Sequence, residues 1–253
     1  MLTTDKKRRG NPVKTSRIER DYAAQLTEVA RQVGAIINGF PPGDPGSAPT
    51  IEQILRRYTD AMTEWSLSTA SRMIAAVNHQ DARTWNAMAA EMSRALRGEI
   101  RNAPTGEAMR ALLAEQVVLI KSIPLEAAQR VHRLTLEGIE NGSRSSEIAR
   151  EIMRSGDVAA GRARTIARTE VARTAAVLTQ ARAESIGSEG YIWRTSADGD
   201  VRESHRKMAD KFVKWDEPPT LVDVSSTGKT HSMTGHAGCL PNCRCYPEPV
   251  IPK

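Results

Sequence analysis

The chain has 253 residues, of which 40% are hydrophobic and 26% charged, an ordinary balance for a soluble globular protein of one large or two modest domains. Only 4% of the residues are aromatic, so aliphatic side chains must fill most of the core, which favours helices over sheets. No apolar run approaches the roughly 20 residues that span a bilayer, and no apolar segment of the signal-peptide kind follows the basic start. We therefore expect a soluble protein made in a cytoplasm, with no membrane partner.

The formal net charge is +6, and much of the excess is concentrated at the N-terminus. Only two acidic residues there, Asp5 and Glu19, face a basic group made up of Lys6, Lys7, Arg8, Arg9, Lys14, Arg17 and Arg20. We predict a flexible basic arm over residues 1–16. Such an arm is either a solvated tail or a segment attracted to nucleic acid or another acidic surface, and the sequence leaves both interpretations open.

Apolar residues recur at helical spacing over residues 17–142 and predict a helical domain there. We expect a helix over 17–38, then a Pro- and Gly-rich linker over 40–49. A helical pattern follows over 50–96, with Thr50 as the N-cap, and a further helix over 107–122. The last helix begins with Pro124 in its first turn and ends at Asn141-Gly142.

Residues 143–253 contain two more predicted helices, and after these the sequence changes from helical to strand and turn patterns. A short helix over 145–153 and a long one over 158–186 are followed by an aromatic strand at Tyr191–Thr195. The turn residues at 198–200 make a hairpin after this strand the expected arrangement, and short strands are expected near 211–215 and 245–251. The predicted fold class is therefore mainly α, with long helices followed by a small C-terminal α+β domain. This domain contains little apolar material, so we expect it to need a cross-link such as a bound zinc ion to stay folded.

All three cysteines, Cys239, Cys243 and Cys245, lie in the last fifteen residues. An odd, clustered set does not suit a secreted disulfide framework, but it suits a metal site or a reducing compartment. Three thiolates and one histidine would make a closed, structural zinc site, and the histidines near enough in sequence are His205, His231 and His236. The alternative is that the cysteines are small, reduced, buried residues without metal, since no Cys-x-x-Cys pair is present.

Arginines cluster on the long helix over 158–186. Arg164 and Arg168 lie one turn apart and would present a positive surface to DNA or to a protein partner, or they would simply form a solvated helix face. Glu170 and Arg173 are neighbours on the same helix, and we expect Glu170 with Arg168 or Arg173 to pair structurally with the C-terminal element.

Four stretches in this order resemble the phage Mu F-like minor head proteins. They are an Arg-Thr-Glu helix over 163–173, an aromatic strand over 190–195, an Asp-x-Arg-x-x-His element over 200–205, and Asn-Cys-Arg-Cys over 242–245. The resemblance covers roughly residues 110–253, and we assign residues 143–253 to the Mu F-like head morphogenesis domain. It departs from the family pattern in two places. Residues 235–241 do not contain the Pro-Gly that often precedes the Cys-Arg-Cys of the family, and residues 206–210 lack the Asp-Gly turn that many relatives show after the histidine.

The resemblance implies a structural part of a virion that acts in phage head assembly. The partners it implies are the portal protein, other head proteins and double-stranded DNA, with the host cytoplasm as the place of assembly and no small-molecule substrate. It favours His205 as the histidine of a zinc site, and it places Arg202 with Arg168, Glu170 and Arg173 in the structural motif.

Two other functions stay open from the sequence, a DNA-binding accessory protein and a zinc-dependent hydrolase or toxin-like domain. We expect no enzyme, because the chain has no His-Glu-x-x-His, no deaminase signature and no phosphate-binding loop of the Gly-x-x-x-x-Gly-Lys type.

Overall fold

The computed structural model describes residues 11–41, 44–89, 102–140, 145–224 and 228–252. Over this part the chain is mainly helical and ends in short strands, which confirms the predicted fold class. The helices are α1 (Ser16–Asn38), a 3-10 turn (Pro45–Ser47), α2 (Ala48–Ala61), α3 (Thr63–Ala89), α4 (Thr105–Glu140), α5 (Ser145–Met153), α6 (Ser155–Ser185) and α7 (Glu203–Met208). The strands are β1 (Gly190–Arg194), β2 (Phe212–Lys214), β3 (Thr220–Val224), β4 (Thr230–Thr234) and β5 (Tyr246–Pro249).

The chain forms two compact units, each assembled from segments that are distant in sequence. The first contains Met1–Ile18, Met73–Leu112 and Arg168–Lys253, and the second contains Glu19–Arg72 and Leu113–Ala167. The predicted boundaries after residues 16 and 142 were drawn from sequence patterns, and they stay predictions. Residues 11–15 of the predicted arm make contacts in the first unit, where Val13 is buried and the carbonyl of Pro12 accepts a hydrogen bond from Thr84.

The second unit is held by apolar stripes on α1, α2 and α4. The stripe predicted on α1 is buried through Leu26 and Val33, and α2 and α4 contribute Leu55 and Ile120. α1 and the start of α6 come into contact at two glycines, Gly34 and Gly156. The backbones can lie this close only because neither residue has a side chain, since a Cβ on Gly156 would lie 3.0 Å from the Cα of Gly34. Such a contact between backbones fixes the spacing of two helices closely.

Three local expectations for the helices were wrong. Pro124 lies inside the continuous α4 rather than opening a helix. The buried Ile123, Ala127 and Ala128 flank it, and their packing offsets the hydrogen bond that proline removes. Thr50 is not an N-cap, because α2 begins at Ala48 with Ser47 before it. The pattern over 50–96 is interrupted at Met62, where α2 ends and α3 follows.

A buried ion pair joins α3 to α6 in the first unit. Asp81 is fully buried, and both of its carboxylate oxygens are used, one by the Thr179 hydroxyl and the other by the Arg182 guanidinium. Arg182 also donates to Asn78 at 2.7 Å. A charged group at such a depth requires partners of this kind, so this network fixes how the two helices align.

The C-terminal strands form a small antiparallel sheet in the order β2-β1-β5 and a separate β3–β4 hairpin. β1 is the central strand, with Tyr191 opposite Val213 on one side and Pro249 on the other. Its first residue must be glycine, since a Cβ on Gly190 would lie 2.4 Å from the carbonyl oxygen of Val213. The sheet buries Tyr191, Trp193 and Trp215 against Trp85 of α3.

The expected hairpin directly after β1 was wrong, whereas the short strands expected near 211–215 and 245–251 are confirmed as β2 and β5. The chain leaves β1, forms α7, and only then returns as β2 to pair with β1. The backbone of Trp193 fixes this return, because its N–H donates to Lys211 and its carbonyl accepts from Asp210. Within the described residues, no helix is long and apolar enough to cross a bilayer.

Candidate metal centre

Three side chains with metal-binding atoms meet where α7 faces the loop before β5. His205 lies in the middle of α7, and Cys243 and Cys245 lie in that loop; all three are buried. Their ligand atoms all lie within 4.8 Å of one another. The structure thus brings together three of the four residues predicted as zinc ligands.

The distances fit a tetrahedral metal ion. The Nδ1 of His205 lies 3.4 Å from the Sγ of Cys243 and 3.5 Å from the Sγ of Cys245. With Zn–S bonds of about 2.3 Å and Zn–N bonds of about 2.0 Å at tetrahedral angles, a nitrogen and a sulfur ligand lie about 3.5 Å apart. One ion can therefore contact all three atoms with little movement of the chain.

The surroundings offer hydrogen-bond donors to both sulfurs. The backbone N–H of Cys245 points at the Sγ of Cys243 at 3.4 Å, and the N–H of Gly238 also donates to that sulfur. The buried indole N–H of Trp193 faces Cys245 and has no oxygen or nitrogen acceptor within the described part of the chain. Such donors suit sulfurs that carry negative charge, as they do when bound to a metal.

Backbone conformation in the loop makes this donor set possible. Gly238 has a φ of +87°, and a Cβ there would lie 3.1 Å from the carbonyl oxygen of Cys245 and 3.2 Å from the Cβ of Ala176, so glycine is required. Asn242 also has a positive φ, of 55°, which asparagine tolerates better than most residues. The Gly238 turn directs its N–H at Cys243, and the Asn242 turn precedes that cysteine directly.

The two thiols share a proton unequally. The hydrogen bond from Cys245, followed by that from His205, lowers the pKa of Cys243, although burial opposes this. The pKa of Cys245 is raised, because its proton is held by Cys243 and because it is buried. Of the two, Cys243 therefore ionises more readily, and a metal ion that binds both sulfurs must displace the proton of Cys245.

The fourth predicted ligand, Cys239, lies outside the three-residue group. Burial raises the pKa of its thiol to about 12, and Arg173 acts in the opposite direction. The other histidines considered are also elsewhere. His231 is exposed on β4, and His236 accepts a hydrogen bond from Tyr191 at 3.2 Å. Among the three histidines, the structure therefore places only His205 beside the cysteines in the described residues.

The Arg-Thr-Glu part of α6 contacts the cysteine loop through its threonine. The hydroxyl of Thr169 accepts a hydrogen bond from the backbone N–H of Asn242 at 3.0 Å. Glu170 pairs with Arg173 at 3.4 Å, and both lie close enough to Cys239 to influence its pKa. Arg202 donates to the carbonyl of Pro241, which ties α7 to the same loop.

Thr169, Trp193 and Gly238 are residues of this site that the sequence reasoning missed. The position of Thr169 between Arg168 and Glu170 was a usable signal, but nothing local indicates that its hydroxyl accepts a distant backbone N–H.

The three ligand residues form part of the wall of a polar cleft of about 350 Å³. Its other lining residues include Arg168, Ser196, Asp200, Arg202, Asn242 and Arg244. Arg244 is paired with Asp198 and Asp200, at 3.0 Å each. The metal-binding atoms are thus buried from bulk solvent but adjoin a cavity rich in guanidinium groups.

Of the residues predicted to bind DNA or a partner, two lie on α6, one of them beside this centre, and four lie outside the described residues. Arg164 is exposed on α6, as is Arg168, which also borders the cleft. Lys6, Lys7, Arg8 and Arg9 lie outside the residues that the structure describes.

Comparison with known proteins gives one family and two relatives. Residues 129–247 match the family described as phage Mu protein F like protein. An uncharacterized protein of Haemophilus influenzae is 33% identical over 153 residues, which are 60% of this chain and 32% of that protein. A protein of Enterococcus faecalis named NAD(+)–arginine ADP-ribosyltransferase EFV is 34% identical over 130 residues, which are 50% of this chain and 26% of that protein. The matches thus span about a third or less of these relatives, and no solved structure matches significantly.

Proposed function

Residues 129–247 of this chain are a domain of the phage Mu protein F like family, and from this we propose that the protein acts in phage head assembly as a minor head protein. The single observation that carries the proposal is this match, which contains α6, the sheet strand β1 and the whole metal cluster. A sequence match that includes the metal-binding residues supports a shared role better than a likeness of fold alone would.

The proposal includes a place and a partner. The protein joins the assembling head in the host cytoplasm, contacts the portal protein and other head proteins, and becomes part of the virion. The support for this is the family resemblance.

DNA binding is a second part of the proposal, carried by charge. The arm contains Lys6, Lys7, Arg8 and Arg9, and α6 exposes Arg164 and Arg168. Guanidinium and ammonium groups bind phosphates without regard to sequence, which suits a protein that meets packaged DNA.

A structural zinc ion is the third part. The observation that favours zinc is the fit of two sulfurs and one imidazole nitrogen to a tetrahedral ion, with N–H donors already directed at the sulfurs. Zinc would link α7 to the loop before β5 and so add a cross-link to the small C-terminal sheet.

We assign the chain no enzymatic activity. The transferase named among its relatives is matched over only 26% of its length, and its activity belongs to that protein. The purified chain should therefore transfer no ADP-ribose from NAD(+) to arginine acceptors, a result that an assay with labelled NAD(+) checks directly.

The decisive experiment is assembly in the presence of the phage's own head proteins. A tagged full-length chain is co-expressed with the portal protein and the major capsid protein, and purified heads and free portal complexes are analysed by mass spectrometry. The chain should be present in heads at low copy number and co-purify with portal protein. Its presence in heads without portal contact would refute the portal assignment, and its absence from heads would refute the assembly role.

A further inference from the structure

The metal centre is incomplete as the chain builds it. Among the described residues, only His205, Cys243 and Cys245 place metal-binding atoms within reach of one ion. Zinc in proteins is almost always four-coordinate, and a site with three protein ligands keeps its fourth position for a water molecule or an external group. The question is therefore what occupies the fourth position.

The three ligand residues adjoin the cleft described above, so a group in that cleft is next to the metal. Its lining is polar apart from Val201 and includes Asn242, Arg168, Arg202 and Arg244, and the carboxylate of Asp200 in the same lining is paired with Arg244. A cavity of about 350 Å³ holds more than a water molecule and admits a small ligand.

Arg202 gives the cleft its chemical preference. Its guanidinium donates to the carbonyl of Pro241 and lies 3.4 Å from the Nε2 of His205. No carboxylate pairs with it in the part of the chain that the structure describes. A guanidinium has five N–H donors and no acceptor, so most of its capacity is left for another group.

Binding of the metal changes what faces Arg202. The Nδ1 of His205 is the atom that points at the two sulfurs, so a metal ion takes Nδ1 and the ring proton moves to Nε2. Two donors, Nε2–H and the guanidinium, then face each other at 3.4 Å. Metal-bound histidines normally donate this proton to an acceptor, but the neighbour of Nε2 here is the guanidinium of Arg202. Once the metal is bound, that guanidinium is repelled from the imidazole and is directed to another acceptor in the cleft.

We propose that the metal held by His205, Cys243 and Cys245 leaves its fourth position open to this cleft, and that an oxyanion, a carboxylate or a phosphate group, binds there against Arg202. Such an anion supplies one oxygen to the metal and accepts a hydrogen bond from the guanidinium of Arg202. It thereby completes the tetrahedron. The inference rests on the metal centre and is independent of the role in head assembly.

The test uses the full-length chain loaded with cobalt(II), whose visible absorption reports the number and type of its ligands. The protein is titrated with sodium acetate and, separately, with inorganic phosphate, at an ionic strength held constant with perchlorate. At least one anion should change the spectrum saturably. Tighter binding of phosphate would identify a phosphate-bearing group as the natural ligand, and tighter binding of acetate an acidic side chain.

Two arginine variants separate binding in the cleft from general charge effects. Arg202→Gln keeps a donor for Pro241 and should weaken the anion by about tenfold or more, as expected for a charge-assisted hydrogen bond. Arg206→Gln is the matched control, since Arg206 is exposed on the same helix, pairs with Glu203 and does not itself line the cleft. Glutamine also keeps a donor for the carbonyl of Val201, to which Arg206 donates. It should leave the titration unchanged.

Three results would overturn the proposal. The spectrum of the wild-type protein could ignore both anions, or the full-length chain could bind no cobalt at all. Alternatively, Cys239→Ser could weaken the thiolate-to-cobalt charge-transfer band, which would show that Cys239 moves in to fill the fourth position. The wild-type titration needs no variant, so it decides the matter even if Arg202→Gln folds poorly.

Discussion

Replacing Cys243 by serine is expected to remove the metal and to destabilise the C-terminal part of the chain by about 4 kcal/mol. This free energy follows from the size of the loop that the metal cross-links, since His205 and Cys243 are 38 residues apart. A cross-link over a loop of this length lowers the entropy of the unfolded chain by an amount equivalent to about 4 kcal/mol at 25 °C. Serine keeps the size of the side chain but provides no thiolate.

The assay is denaturant unfolding of the zinc-loaded protein, with zinc per chain measured by elemental mass spectrometry. The matched control is Cys239→Ser, which changes a thiol outside the three-residue group. We expect one zinc per chain and an unchanged midpoint in the control, and no zinc and an earlier midpoint in Cys243→Ser. A Cys243→Ser protein that keeps zinc, or a wild-type protein whose midpoint is the same with and without chelator, would refute the reasoning.

Zinc affinity should also weaken by about tenfold for each unit by which the pH falls, because the proton of Cys245 must leave on binding. Isothermal titration calorimetry at several pH values measures this dependence, and an affinity that does not change with pH would contradict it. Asp81→Ala should cost about 3–5 kcal/mol in denaturant unfolding, because it leaves a buried guanidinium without its carboxylate. A loss below about 1 kcal/mol would show that water reaches that guanidinium. Gly156→Ala should destabilise by about 1–3 kcal/mol, because its Cβ meets backbone at 3.0 Å, whereas Gly161→Ala on the same helix has open space and should stabilise by up to about 1 kcal/mol. Equal changes in melting temperature for Gly156→Ala and Gly161→Ala would contradict this. Deleting residues 1–10 should reduce the slope of log K against log salt for DNA binding by about 3 to 4, and an unchanged slope would exclude the arm from DNA contacts.

Local rules account for most of the secondary structure. The period of apolar residues predicted a helix over 17–38, close to the observed α1 (Ser16–Asn38). Such a prediction is possible because a helix buries one stripe of side chains, and the spacing of that stripe can be read from a single segment of sequence. The same rules missed the continuity of α4 through Pro124, because the burial of the residues around that proline depends on distant segments. They also predicted a hairpin after β1, where the chain inserts α7 before its partner strand returns.

The metal centre divides in the same way between sequence and tertiary structure. The sequence by itself determined that cysteines and histidines with the right chemistry crowd the C-terminal part, because residue type fixes which atoms can bind zinc. The family resemblance favoured His205 over His231 and His236, and the tertiary structure places it beside two of the cysteines. Only the tertiary structure decided that Cys239 stays outside this group. The reason is that a metal site depends on distances of a few ångströms between atoms about 40 residues apart, and those distances are set by how α7 and the loop before β5 pack around Trp193.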